Sequence, residues 1–418
     1  METSTQPLQE NQSIQGNLDS NSTTVTPITQ DVEYTNTPDK DRRNDFWKLR
    51  RFVQSDLATN TSIRLCGKKC VFNNVSLNVS NKTGKSHFDN VYKCKSKICP
   101  VCQKQIAHKK IDKMSKVIEH DSMKDFIFIT LTGSHSWNTK LSDFHKNMTQ
   151  SFREIFRGSF KKKLKKYGYF SYIRQVDYTF SKSSKHHIHN HIVLLFSEYV
   201  PSPIIQELND ELYRLWSYQM NKRNIETNKS GFYFERVKKG KDKVIKYLIK
   251  SGNISFEMFH TFSKISEGQM SYNIWQVLDL FYNTGDLFWK DIWMDYHSEM
   301  KNQKMTTYGS EYNKLLNQIE SEEEPEDQEI EVLAEINPLL YECLYNKRLC
   351  IPLLHSVEIH YNNKKNNIND YDSESRFLYI INSIKELNDL CYEWSSNKRL
   401  IYSYLDTFRN RFYKYQYK

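Results

Sequence analysis

No stretch of the 418-residue chain approaches the roughly 20 consecutive apolar residues that a membrane-spanning helix needs. The N-terminus also lacks a charged start followed by an apolar core, so no secretory leader is expected. Both absences point to a cytoplasmic protein without a membrane partner. Hydrophobic residues make up only 38% of the chain, yet its length allows two or three domains, one of them with a full core. Cysteine is sparse outside one region: Cys66, Cys70, Cys94, Cys99 and Cys102 are five of the eight in the whole sequence. In a reducing compartment such a cluster reads as a metal site rather than as disulfides.

Charge of one sign is in excess. Sixty Lys and Arg against 50 Asp and Glu leave +10, and basic residues cluster at Lys161, Lys162, Lys163, Lys165 and Lys166. A polyanionic partner fits this, with the lysine run touching DNA backbone phosphates, although a charge run is more often a solvated surface.

Residues 1–44 are rich in Ser, Thr, Asn and Gln without apolar periodicity, which predicts a disordered tail. A cysteine-rich region follows at 45–115. The run 126–132 (FIFITLT) reads as a buried strand, and Leu141, Phe144, Met148, Phe152, Ile155 and Phe156 recur at helical spacing, as a core-facing stripe does. Strands at 169–180 and 187–196 suggest an antiparallel hairpin. A helix near 204–220, a strand at 232–237 and a helix at 242–251 complete a domain at 120–255, an open antiparallel sheet with helices on one face. Aromatic helical patterns mark an extension at 256–315. The segment 316–337, dominated by an acidic run, reads as a solvated linker. Residues 338–418 form a small C-terminal unit with Phe377, Ile380, Ile381, Ile384, Leu387 and Cys391 on one helix face.

The segment 187–191 (HIHNH) carries chemistry. Alternate side chains of a strand share a face, so His187, His189 and His191 can converge on one ion. A mixed imidazole and oxygen site with open positions suits Mg²⁺ or Mn²⁺ beside a phosphate oxygen. Gln175 and Asp177, on one face of the neighbouring strand, are candidates to complete it. On the 242–251 helix, Val244, Ile245, Leu248 and Ile249 cover one face, while Lys243, Lys246, Tyr247 and Lys250 cover the other. Ammonium groups favour the phenolate form of Tyr247, which a phenol of pKa about 10 needs before it can attack a phosphate near neutral pH. One tyrosine among 27 is unremarkable; beside a histidine strand it completes a phosphoryl-transfer set.

In their order, the segments 128–132, 187–191 and 246–250 resemble the three motifs of the HUH single-strand endonucleases, most closely the rolling-circle plasmid replication initiators of Gram-positive bacteria. The cysteine pattern Cys66-Gly67 with Cys94, Cys99 and Cys102 is similar to theirs as well. The resemblance covers roughly residues 63–255. It implies that His189 and His191 are the metal pair, that Tyr247 is the nucleophile and that Lys250 assists it. It also implies an α+β architecture: a ferredoxin-like antiparallel sheet nicking domain, an N-terminal cysteine-rich zinc arm and a mostly helical C-terminal extension.

Two positions depart from the family pattern. Lys243 stands where some members carry an acidic residue one turn before the tyrosine, with Asp242 one position off. Gln175 stands where relatives often carry glutamate, so the third ligand is Gln175 or Asp177, with His187 as a further ligand or a DNA contact. Four thiolates suffice for a tetrahedral structural Zn²⁺. Cys66, followed by glycine, is the first choice for the fourth ligand. Cys70 is the alternative, ahead of His87 and His108.

The expected activity is site-specific nicking of plasmid origin DNA, with a 5′-phosphotyrosine intermediate and a 3′-hydroxyl left for a DNA polymerase. A single-tyrosine transposase, a mobilisation relaxase and a noncatalytic zinc-containing DNA-binding regulator are the alternatives. No motif in 338–418 chooses between DNA, a host helicase and, as a dimer, a second copy of the chain.

Overall fold

The computed structural model describes residues 48–58, 60–135, 138–182, 185–237, 271–322, 330–368, 370–393 and 398–414. The expected tail at 1–44 and the expected helix at 242–251, with Lys243, Lys246, Tyr247 and Lys250, lie outside the described residues.

The cysteine region opens with a helical stretch through 48–57, followed by a short helix α1 (Thr61–Leu65), capped by the Asn60 side chain accepting from Ser62 N. A hairpin of β1 (Val75–Ser80) and β2 (Ser86–Asp89) follows, then helix α2 (Pro100–Glu119), which starts with proline at its first position. Next come β3 (Asp125–Leu131), helices α3 (Leu141–Ile155) and α4 (Ser159–Lys165), the long hairpin of β4 (Tyr169–Ser181) and β5 (Lys185–Phe196), helix α5 (Ser202–Asn221) and β6 (Phe232–Arg236).

Further along lie α6 (Ile274–Thr284), α7 (Leu287–Met300), β7 (Thr306–Tyr308) and α8 (Ser310–Glu322). Asn273 and Gln276 form a capping box on α6, and Gly285 closes it in the left-handed conformation at φ 69°. The chain then runs through β8 (Ile330–Ile336), α9 (Pro338–Asn346), α10 (Cys350–Lys365), α11 (Tyr371–Glu393) and α12 (Lys398–Lys414). Among the described residues, no helix is long and apolar enough to cross a membrane.

Five strands make one antiparallel sheet in the order β6-β3-β5-β4-β7. Its first four strands in chain order sit 4-1-3-2, the ferredoxin-like arrangement, so the α+β class holds. Helices cover both faces, where one was expected. The reason lies in the strands: β3 and the 192–196 end of β5 are apolar at consecutive positions, so both of their faces must be buried. Ile127, Ile129, Ile192 and Leu194 pack beneath α3, α5, α6 and α7, with Phe144, Trp216 and Leu278. On the opposite face Phe128, Ile173, Val193 and Leu195 meet Val117 and Ile118 of α2 and Tyr312 and Leu315 of α8.

A second sheet has the order β2-β1-β8. The expected linker at 316–337 therefore holds the end of α8 and a whole strand, β8, which pairs antiparallel with β1, Val75 opposite Ile336. Acidic residues dominate the composition there, but Ala334 and Ile336 are buried in β8. The C-terminal helices share a core with β1 and β2: Val75, Leu77 and Val79 pack with Leu340, Leu353, Ile380, Ile384 and Leu405. The stripe read from 377–391 faces this core, with Phe377 partly buried.

Candidate active site and metal centre

The β4–β5 register assigns the histidine positions. In an antiparallel pair, opposite residues project to the same side. His191 is opposite Gln175 and, on its other side, Thr130; His189 is opposite Asp177; His187 is opposite Thr179. The three histidines alternate with buried His186, Ile188 and Asn190, which face the other way. They lie on the face that α2 and α8 cover. Its rows change character in order along the strands: Phe128, Val193 and Ile173 are apolar, whereas the next row, Thr130, His191, Gln175 and Thr306, is polar. The histidines occupy the polar rows beyond that boundary.

Each ring is held by neighbours. His191 Nδ1 lies 3.1 Å from Thr130 Oγ1, its Nε2 lies 3.6 Å from Asp177 Oδ2, and the ring stacks on Phe128. His187 contacts Thr132 Oγ1 at 2.9 Å through Nε2 and His135 Nε2 at 3.3 Å through Nδ1. Thr132 is fixed in turn by Trp216, whose Nε1–H donates to its carbonyl at 2.9 Å. Burial, reinforced by His189 and His135, holds His187 down to about 3, and burial with His191 holds His189 down to about 4. Both imidazoles are therefore neutral near pH 7, the form that offers a ring lone pair to a cation.

Gln175 and Asp177 are brought to the same face as the histidines, Gln175 only 2% exposed. Imidazole, carboxylate and amide together form a donor set that fits a hard or borderline divalent ion. Both His187 nitrogens and His191 Nδ1, however, are turned toward Thr132, His135 and Thr130, while His191 Nε2 lies near Asp177. Among the described residues, only the cysteines form a group of three or more ligand atoms that all lie within 4.8 Å of one another. Thr130, Thr132 and His135 were not singled out from sequence. The two threonines follow the same two-residue period as the histidines, which was the available signal.

The cysteine group is Cys66, Cys94, Cys99 and Cys102. Sulfur separations of 3.4 Å (Cys66 to Cys102), 3.6 Å (Cys94 to Cys102) and 3.7 Å (Cys66 to Cys99) are far beyond a disulfide bond. They approach the edge of about 3.8 Å that follows from tetrahedral coordination at about 2.3 Å per thiolate. Cys102, Cys94 and Cys99 hydrogen-bond to Cys66, Cys102 foremost, and hold its thiol far below the usual range. Four thiols in this arrangement could hold a metal. Cys70 is elsewhere, its Sγ–H donating to Phe72 O at 2.7 Å. His87 pairs with Asp89 at 3.2 Å and is likewise no member of the quartet, nor is His108.

Gly67 has a specific reason to follow Cys66. Its φ is 70°, and a Cβ there would overlap the Arg50 guanidinium, which donates to Cys66 O. Gln54 donates to the same carbonyl at 2.7 Å, and Tyr341 of α9 donates to Gly67 O at 2.9 Å.

The lysine run lies on α4, whose Phe160 and Leu164 are buried in the core of the opposite sheet face. Lys162, Lys165 and Lys166 are exposed, and Lys161 is half-buried. Lys163 is paired to Glu207 at 2.6 Å and to Glu211 at 2.5 Å on α5, so its charge is already balanced. This run is not a neighbour of the histidine row.

A family model described as "Replication protein" matches residues 85–338, which include the HIHNH segment, Gln175, Asp177 and three of the four clustered cysteines. The chain belongs to this replication protein family. It is similar to "Protein rep" of Lentilactobacillus hilgardii, 24% identical over 212 residues that cover 46% of the chain and 62% of that relative. It is also similar to "Protein rep" of Staphylococcus aureus, 30% identical over 107 residues that cover 24% of the chain and 44% of that relative. The matches thus span less than two thirds of either relative. No solved structure matches.

Proposed function

We propose that this replication protein starts plasmid replication by the rolling-circle route, nicking one strand of the plasmid origin and carrying the 5′ end on Tyr247. The observation that carries this reading is the polar end of the large sheet's face, where His189 and Asp177 and then His191 and Gln175 lie side by side across two paired strands.

In this reading His189 and His191 hold a catalytic Mg²⁺ or Mn²⁺, with Asp177 or Gln175 as the oxygen ligand and His187 beside them. Such an ion, when bound, polarises the scissile phosphate and offsets its charge. Neutral imidazoles suit this role, and burial keeps His187 and His189 neutral. Tyr247 attacks phosphorus, the 3′ oxygen leaves, and the phenolic proton is released to solvent. Lys246 and Lys250 favour the phenolate and steady the charge that develops on the phosphoryl oxygens. The role of Tyr247 and its lysines rests on the sequence pattern.

The cysteine quartet holds a structural Zn²⁺ and fixes the start of α2. Origin DNA is the partner, and a host polymerase extends the free 3′ end.

Incubating the protein with a labelled single-stranded origin oligonucleotide and Mn²⁺ tests this. The wild type should form a covalent adduct that survives denaturation, and Tyr247→Phe should form none while still binding the oligonucleotide. An adduct with Tyr247→Phe rules out the assigned nucleophile. Absence of cleavage by the wild type with either ion favours a noncatalytic DNA-binding regulator.

A further inference from the structure

Helix α2 leaves the cysteine quartet and crosses the histidine-bearing face of the large sheet. Its Met114, Val117 and Ile118 cover the apolar rows. Lys110 lies one turn before Met114, so its side chain extends over the same face toward the polar rows. Its Nζ donates to Thr306 Oγ1 at 3.2 Å. Thr306 is opposite Gln175, and Gln175 is opposite His191. Two strand spacings of about 4.8 Å place Thr306 roughly 10 Å from His191 along this row.

Lys97, at the quartet end, donates to Gln303 O on the segment leading into β7 and is close enough to Lys110 to repel its charge. Among the described residues, no carboxylate pairs with Lys110 or Lys97. The contrast is Lys113, one turn away, which pairs with Glu320 of α8 at 3.0 Å. A half-buried ammonium beside a second cation and without an anion is costly. Burial and Lys97 both push Lys110 below the usual lysine range. An ordinary surface lysine would point away from its like-charged neighbour, whereas Lys110 is directed onto the sheet face that carries the histidines.

We infer that Lys110, with Lys97 beside it, binds a backbone phosphate of the single-stranded DNA whose scissile bond lies at the histidines; this rests on the nicking function proposed above. The site takes a phosphodiester oxygen near the reacting one and sets the register of the strand along the row Thr306, Gln175, His191. Lys110 is thus a positioning residue.

The probe is a fluorescein-labelled single-stranded origin oligonucleotide, with binding measured against salt in a Tyr247→Phe background and without divalent ion, so that no chemistry is needed. For single strands, log K falls against log salt by about 0.7 per phosphate contact. Lys110→Met should weaken binding and reduce the slope magnitude by about 0.7, and Lys110→Arg should restore it. Placing one methylphosphonate at successive positions of the oligonucleotide on otherwise intact protein should reproduce that loss at one position, without relying on how a variant folds. An unchanged slope for Lys110→Met, with no sensitive position in the scan, overturns the Lys110 site alone and leaves the nicking reading standing. Failure of the parent protein to bind the single strand overturns both. An equal slope loss on blunt duplex of the same sequence overturns the single-strand assignment.

Discussion

His189 stands directly opposite Asp177 across the β4–β5 hairpin, both half-buried on the face that carries His187 and His191. Opposite positions in an antiparallel pair have Cβ atoms about 5 Å apart, close enough for an imidazole and a carboxylate to share one cation. His189→Ala should therefore weaken Mn²⁺ binding at least tenfold, as measured by titration calorimetry. Asp177→Asn should weaken it less, since an amide oxygen still offers a lone pair. Equal Mn²⁺ affinity in His189→Ala and wild type would remove the histidine face as the ion site.

The cysteine quartet makes a second prediction, on metal content. Elemental analysis should find one zinc per chain, lost in Cys66→Ser and Cys102→Ser and retained in Cys70→Ser, because Cys70 Sγ is engaged with Phe72 O away from the cluster. Stripping the zinc with a chelator should also loosen the C-terminal helices, since β1 and β2 share their core. Limited proteolysis reads this: new cleavage within 338–414 is expected on chelation. A Cys70→Ser protein without zinc would reassign the fourth ligand.

The histidine face was legible because strand geometry alone fixes which residues share a side: HIHNH running into IVLLF has a single consistent reading. The quartet was legible because its members cluster in sequence and Gly67 marks the tight turn after Cys66. Contacts made by register between distant segments were not legible. Thr306 reaches the histidine row only because β7 pairs with β4 more than a hundred residues earlier, and Lys110 only because α2 lies across that face. The pairing of β8 with β1 was hidden in the same way, behind an acidic composition that suggested a linker. Helical cover on both faces was implicit in the doubly apolar β3, but which helices supply it depends on tertiary packing.

Gly67→Ala should destabilise the cysteine arm by more than about 1 kcal/mol, since it combines a strained left-handed backbone with a clash against a buried guanidinium. Arg50 would have to leave Cys66 O, and the turn that presents Cys66 would shift. The measurable outcome is a lower urea midpoint together with weaker zinc retention under competing chelator. Asn at the same position tolerates positive φ and isolates the clash from the strain. If Gly67→Ala matches wild type in both readouts, the turn is not what sets the ligand.

Acid should destabilise the protein in a defined window. Burial keeps His297 down at about 3 and, with the charge of Arg174, His145 at about 4, against an ordinary 6.5. Below about 6.5 the unfolded chain takes up protons that these folded histidines refuse, so unfolding is increasingly favoured as pH falls toward the folded values. Stability from this source is complete above about 6.5 and declines by about 1.4 kcal/mol per pH unit for each such histidine below it. His187 and His189 add to the same slope. His297 has an unpartnered Nε2 closed off from solvent, with its ring edge-on to Trp293 at 4.2 Å. His297→Leu should accordingly flatten the dependence of unfolding free energy on pH between about 4.5 and 6 by one histidine's share, with little loss near neutrality. A slope unchanged by that substitution would show that His297 takes up a proton in the folded protein.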